Sequence, residues 1–255
     1  MTGVTGLVLT FNEAPNIART LAKLAWLPEI VVVDSHSTDG TPALAAAFPN
    51  VRVIQRPFTT HAEQWSFGLE AAGIDTEWVL ALDADFVLSD EGSREIQALQ
   101  PADDVAGYRA SFDYCIEGRP LRGAAYPPVV VLYRRTRARY AQDGHTQRVQ
   151  VSGRVLSLSH RIQHDDRKSL THWLGAQARY MALEAEKLTN GGRIGLVDRV
   201  RQWIVIAPPA MFVYCYLVRG GVFDGKAGLF YALQRATSEA ILSLFLVWRR
   251  LSGGR

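Results

Sequence analysis

The 255-residue chain reads as an α/β protein built on a doubly wound, mostly parallel mixed sheet, and three observations carry that reading. Short apolar runs alternate with segments of helical periodicity in the order strand, helix, strand, helix, strand, helix, strand, the pattern of a parallel sheet with crossover helices. The second run is nearly continuous in β-branched residues, as suits a central strand covered on both faces. Acidic residues stand at or just past the ends of three runs, and ligands of such sheets bind beyond the carboxyl ends of the strands.

The first strand is Thr5-Gly6-Leu7-Val8-Leu9-Thr10, followed by Phe11-Asn12-Glu13-Ala14-Pro15-Asn16. Asn12 can cap a helix and Pro15 sits early in it, after which Ile17, Leu21 and Leu24 return at helical spacing. The second strand is Glu29-Ile30-Val31-Val32-Val33-Asp34, and the polar turn from Ser35 to Pro42 leads into an alanine-rich helix through Ala47. Val51-Arg52-Val53-Ile54 is the third strand, and a helix around Ala62 to Ala72 leads to the fourth. That strand is Trp78-Val79-Leu80-Ala81-Leu82-Asp83, running on into Ala84-Asp85. Residues i and i+2 of a strand face one way, so Asp83 and Asp85 are expected to converge at its carboxyl end. Two such carboxylates suit a hard cation, Mg2+ or Mn2+, held with a diphosphate; taken alone, the stretch is equally an Asp-rich turn after a strand.

From Gly107 the texture changes, with Val129-Val130-Val131-Leu132-Tyr133 and Arg148-Val149-Gln150-Val151 expected as strands of the mixed sheet. A polar stretch from His160 to Lys168 precedes a helix from Ser169 to about Leu188. Beyond Gly191-Gly192 the chain turns apolar, so residues 1–190 are expected to form one domain and 191–255 a helical appendage. Neither apolar segment suits a membrane span. Trp203 to Val218 offers about 16 apolar positions, broken by Pro208-Pro209, against the roughly 20 that a crossing helix needs, and Leu229 to Trp248 carries Arg235 and Glu239. Amphipathic helices lying in a membrane interface fit better, with aromatic Trp203, Phe212, Tyr214, Tyr216, Phe223, Phe230, Tyr231 and Trp248 and nearby arginines toward anionic lipid; an ordinary helix pair packing on the domain or a partner is the alternative.

A hydrophobic content of 48% and 21% charge suit a globular chain with a large core, and a net charge of +3 is too small to imply nucleic acid. The two cysteines, Cys115 and Cys215, are far apart and outside any metal-ligand spacing, which points to a reducing compartment. No signal peptide is read at the N-terminus. The expected setting is the cytoplasm.

Leu9-Thr10-Phe11-Asn12-Glu13, then Val33-Asp34-Ser35-His36-Ser37-Thr38-Asp39-Gly40-Thr41, then Leu82-Asp83-Ala84-Asp85 resemble the three successive signatures of family 2 glycosyltransferases. The resemblance covers most of residues 1–190 and is nearest to the branch with the bacterial lipopolysaccharide-core β-glucosyltransferases. It implies the Rossmann-like nucleotide-diphospho-sugar transferase fold of GT-A type, a divalent metal, Mn2+ or Mg2+, and transfer with inversion at the anomeric carbon. By that resemblance Thr10, Glu13 and Asp34 line the nucleoside, Asp83 is the first acid of the metal motif, Asp85 is the metal ligand proper, and Arg56 lies near the sugar nucleotide. His164, in Ile162-Gln163-His164-Asp165-Asp166-Arg167-Lys168, matches a histidine that completes the metal shell in many of these folds. Arg167 and Lys168 are then placed to take diphosphate oxygens, Arg as a fork and Lys as a point charge.

Inverting transfer to a hydroxyl needs a general base. Where relatives of the resembled branch often read His-Glu, this chain reads His145-Thr146-Gln147, and glutamine cannot serve. Asp143 is the replacement, His145 the second choice, and Asp143-Gly144 also fits a hairpin turn. A phosphate acceptor such as a polyprenyl phosphate would need no base. The expected activity is metal-dependent transfer from a UDP-sugar to a hydroxyl of a bacterial envelope glycan or glycolipid, such as lipopolysaccharide core, on the inner face of the cell membrane. A polyprenyl-phosphate glycosyltransferase and a non-catalytic nucleotide-sugar-binding or scaffold protein are the alternatives.

Overall fold

In the computed structural model the described residues are 3–143, 146–189 and 196–253, excluding the side chains of residues 143, 146, 196 and 197. Contacts divide the chain into two compact units. One comprises Met1–Gly118, Tyr126–Gln142 and Gln147–Lys168; the other comprises Arg119–Ala125, Asp143–Thr146 and Ser169–Arg255. The boundary expected at residue 190 falls on residues 190–195, outside the described set.

The elements run β1 (Val4–Thr10), α1 (Ile17–Lys23), β2 (Glu29–Asp34), α2 (Thr41–Ala46), β3 (Val51–Gln55), α3 (His61–Glu70), β4 (Trp78–Asp83), β5 (Phe86–Val87), α4 (Asp90–Ala98), β6 (Val105–Ala110) and β7 (Phe112–Ile116). They continue with β8 (Arg119–Pro120), β9 (Val129–Arg134), β10 (Ala138–Asp143), β11 (Thr146–Val151), β12 (Arg154–Ser157), β13 (Ile162–His164), α5 (Leu170–Thr189), α6 (Leu196–Arg201), α7 (Ala207–Val213) and α8 (Gly225–Leu251).

The first unit is organised by a seven-stranded sheet of order β12-β6-β9-β4-β1-β2-β3. β1 lies parallel between β2 and β4, and β3 continues parallel on β2. β9 enters antiparallel between β4 and β6, so the sheet is mixed but mostly parallel. Alternation splits the strands between two cores. Val8, Val32, Leu80 and Leu82 meet Ile17 and Leu21 of α1 on one face, while Leu7, Val31, Val33 and Val79 meet Trp65 and Leu69 of α3 on the other. Each fully buried Leu or Val of this kind stabilises the fold by about 1.5–3 kcal/mol. Gly68 lets α3 approach closely: a Cβ there would lie 2.7 Å from Leu7 Cδ1.

Three sequence expectations are corrected. Asn12 does not cap α1; it takes a left-handed conformation (φ 54°), and the helix starts at Ile17 after Asn16. Arg148–Val151 is not in the large sheet, because β11 pairs with β10 in a separate two-stranded ladder. Pro208 and Pro209 do not interrupt a helix; they begin α7, where a missing N–H costs nothing.

The second unit is helical. α8 packs against α5 and α7, and its inward face sets Ser238, Glu239 and Ser243 among Tyr231, Ala232, Leu242 and Leu246. Glu239, 1% exposed, takes the Arg201 guanidinium at 3.1 Å, and the same arginine reaches Glu184 of α5 at 3.0 Å. Ser238 donates to Gln177 at 2.9 Å, and Ser243 to the Ile204 carbonyl at 2.8 Å. The short 119–125 segment is strapped to these helices: Gly123 N–H donates to Asp224, Ala125 N–H to Tyr231 Oη, and Arg219 to the Ala124 carbonyl. Among the described residues no helix is long and apolar enough to cross a membrane.

Candidate active site

The carboxyl ends of β1, β2 and β4 stand level, because Thr10 pairs with Asp34 and Leu9 with Asp83. Asp83 closes β4, but Asp85 lies past the strand, in the turn formed with Ala84. Strand alternation therefore does not place the pair, as the sequence suggested; the turn does. It aims Asp85 Oδ2 at His164 Nε2, 3.1 Å away. β13 carries His164 to that point by pairing with β5, which sets His164 opposite Phe86.

Electrostatics sharpen this corner. Burial, together with the neighbouring Asp85 charge, pushes the Asp83 carboxyl up to about 7. Burial pushes Asp85 up as well, but the charge and hydrogen bond of His164, helped by Lys168, outweigh it and hold Asp85 below the ordinary carboxylate value. Burial alone would lower His164; the Asp85 carboxylate instead raises it. The imidazole is boxed by Phe86, Tyr114 and Tyr126, whose ring centroids lie 5.1, 4.8 and 4.8 Å from its own. Its Nδ1 is buried without a hydrogen-bond partner among the described residues.

The second group is Glu13 with Lys168, whose Nζ donates to Glu13 Oε1 at 2.5 Å. Burial, with the Asp85 charge, raises Glu13 to about 7 against the pull of Lys168. Burial works against the Lys168 ammonium, yet Glu13 and its neighbouring carboxylates raise it. Asn16 ties this pair in place. Its amide donates to Glu13 and to Asp166, both at 2.8 Å, while its carbonyl accepts from Arg167 N at 2.9 Å and Arg19 at 2.8 Å. All four bonding positions of a fully buried amide are thereby used.

Asp34 is fully buried and does not face open space. Its oxygens accept from Thr10 Oγ1 at 3.0 Å, Ser37 Oγ at 2.6 Å and Ser37 N at 2.8 Å. The loop so held reaches across to the first motif. Ser37 Oγ accepts from Asn12 N, Thr41 Oγ1 from Glu13 N, and Asp39 from Ala14 N, at 2.8–3.0 Å. Arg56 follows β3, hydrogen-bonds Gln64 and lies over the Phe67 ring at 5.0 Å. The Arg167 guanidinium is engaged by Asp165 at 2.8–2.9 Å and by Glu117 at 3.3 Å. The Asp143 side chain and His145 lie outside the described residues.

The structure thus brings together Glu13, Asp83, Asp85, His164 and Lys168, with Thr10 and Asp34 beneath the neighbouring loop. Among the described residues no three His, Cys, Asp or Glu side chains stand ready around a single cation position. Asn16, Arg19 and Asp165 were not singled out from the sequence, although the Asp165-Asp166 repeat beside His164 was visible there. Nothing local in the sequence marks Asn16, because two of its four partners, Asp166 and Arg167, come from a segment 150 residues away.

Comparison with known proteins gives concordant results. LpsC of Rhizobium meliloti, a lipopolysaccharide core biosynthesis glycosyltransferase, is 26% identical over 97% of this chain and 92% of its own. ExoO of the same organism, a succinoglycan biosynthesis protein, is 34% identical over 47% of this chain and 36% of its own. The mannosyltransferase PcManGT of Pyrobaculum calidifontis, solved with GDP-Man and Mn2+, superposes with a TM-score of 0.55 at 17% identity, covering 99% of this chain and 88% of its own. The shared architecture is the GT-A nucleotide-sugar transferase fold. With residues 7–158, more than half its length, matching the family, the chain belongs to Glycosyl transferase family 2.

Proposed function

We propose that this glycosyltransferase moves a sugar from a nucleotide-diphospho-sugar, a UDP-sugar, to a hydroxyl of a bacterial envelope glycan or glycolipid such as lipopolysaccharide core, with inversion and with a divalent cation at the donor. The observation that carries the reading is the meeting of Asp83, Asp85 and His164 beside the Glu13–Lys168 pair, at the strand ends where this fold binds ligands. The envelope acceptor is favoured by the near full-length likeness to LpsC.

The residues fit a hard or borderline cation. Burial and the Asp85 charge both raise the Asp83 carboxyl, and a cation relieves that repulsion; the imidazole adds a nitrogen donor that favours Mn2+. When bound, the cation stabilises the charge that grows on the leaving diphosphate. The chain's own residues do the rest. Lys168 is a preformed positive charge for diphosphate oxygens, and Glu13 holds it there. Thr10 and Asp34 position the 35–41 loop under the nucleoside, and Arg56 lies at the end of the next strand. Arg167, beside Lys168 in sequence, is the second cation proposed for the diphosphate oxygens. Asp143 is the proposed base on the acceptor side. Residues 1–190 serve as the catalytic domain and 191–255 as an appendage, with the enzyme working at the inner face of the cell membrane.

The test is a thermal-shift panel of nucleoside diphosphates with and without Mn2+. UDP with Mn2+ should raise the melting temperature together more than either does alone. No metal-dependent stabilisation by any nucleoside diphosphate overturns the reading. Asp143→Asn should keep that response and stop transfer to a hydroxyl; full activity in that variant removes Asp143 from the base role.

A further inference from the structure

We infer that the helical unit carries a docking surface for an anionic lipid bilayer, built from outward apolar stripes on α7 and α8. This deepens the membrane placement proposed above and is independent of the nucleotide chemistry. An ordinary surface helix turns its apolar stripe inward and its polar stripe out. Here the outward stripe is apolar as well. From the start of α7 through the single π-turn that extends it, Tyr214–Val218, the exposed positions are Pro209, Ala210, Val213, Tyr214, Leu217 and Val218. They recur in pairs four residues apart, so they form one helix face, and none carries a charge. Val218 is 70% exposed, and Phe223, just beyond, is 78% exposed.

α8 repeats the outward apolar stripe over 27 residues, about 40 Å of helix. Its inward face mixes Tyr231, Ala232, Leu242 and Leu246 with Ser238, Glu239 and Ser243, while Leu229, Leu233, Leu244, Val247, Trp248 and Leu251 face out, so the outer face is as apolar as the inner one. Trp203, Tyr214, Phe223 and Trp248 supply the aromatic side chains that favour the boundary between headgroups and acyl chains. Because no described helix can span a bilayer, these helices are suited to lie in its surface.

Charge selects the occupant. After Gln202 the sequence contains only two acidic residues, Asp224 and Glu239. Asp224 accepts from Gly123 N–H, and Glu239 is buried against Arg201. The exposed charges beside the stripes are Arg219, Lys226 and Arg250, all positive. A second copy docking face to face would oppose like charges. A surface rich in anionic headgroups complements them.

The experiment is cosedimentation of the full chain with vesicles of phosphatidylcholine alone and of phosphatidylcholine mixed with phosphatidylglycerol. The wild type should bind the mixed vesicles and largely ignore the neutral ones. Val218→Glu with Phe223→Glu should weaken binding about tenfold or more, and Lys226→Glu with Arg250→Glu should remove the preference for anionic lipid. All four positions are exposed, so melting temperature and nucleotide response should stay as in the wild type. Undiminished vesicle binding by the Val218/Phe223 variant overturns the inference. So does a wild-type dimer that this variant dissolves while neither protein binds vesicles. Vesicle binding without any nucleotide response would remove the donor reading and leave this surface standing.

Discussion

The two units solve opposite solvation problems with one chain. Of the twenty-three large apolar side chains left exposed among the described residues, twenty belong to the helical unit and only Phe11, Leu44 and Phe58 to the sheet unit. The sheet unit buries its Val and Leu residues on both faces and gathers charged groups at one end of its strands. The helical unit encloses Glu184, Arg201 and Glu239 and shows Leu and Trp to the outside. The difference lies in where charge is placed: at the strand ends in the sheet unit, and between helices, around Arg201, in the helical unit.

The comparison breaks most readily at the buried ions. Glu239→Ala should cost about 3 kcal/mol of unfolding free energy in a denaturant titration, because it breaks a buried ion pair and leaves Arg201 to Glu184 alone. A near-neutral result would mean that the polar interior of the helical unit is not structural. Next in size, Asp85→Ala should lower transfer about 10²–10³-fold in a donor-consumption assay while leaving vesicle binding intact. Loss of both together would contradict the division of labour. Asn16→Ala strands its four partners and should cost about 1–3 kcal/mol, with a raised KM for the donor.

pH sharpens the sheet side further. Without divalent metal, native Glu13 keeps a proton up to about 7 that an unfolded chain releases near 4.5. The native state then binds more protons than the unfolded one, so the melting temperature should fall as pH rises through that window. Glu13→Gln should reduce that slope. Smallest of all, Leu244→Gln on the outer face of α8 should change stability by less than about 0.5 kcal/mol in buffer, since that side chain is already 71% exposed.

What was legible in the sequence followed from local pattern. β1, β2 and β4 announce themselves as β-branched or apolar runs, and α5 follows within a residue or two of its expected span. The Asp83/Asp85 pair was visible, but its geometry was misattributed to strand alternation, because a turn of two residues leaves no periodic signature. Asn16 was illegible for a different reason: a saturated amide is defined by partners from distant segments. β11 was assigned to the wrong sheet, since its apolar alternation suits a two-stranded ladder as well as a large sheet. Proline was read as a helix breaker at Pro208-Pro209, where its position made it a helix starter.

The three side chains Ser37, Asp39 and Thr41, which hold the main-chain N–H groups of residues 12–14, have a consequence for enzyme engineering. They are a latch between two loops and reach residues 12–14 through the backbone alone, so substituting the side chains at 12–14 removes none of these three bonds. Libraries meant to change the transferred sugar should leave the latch intact and vary the side chains around it.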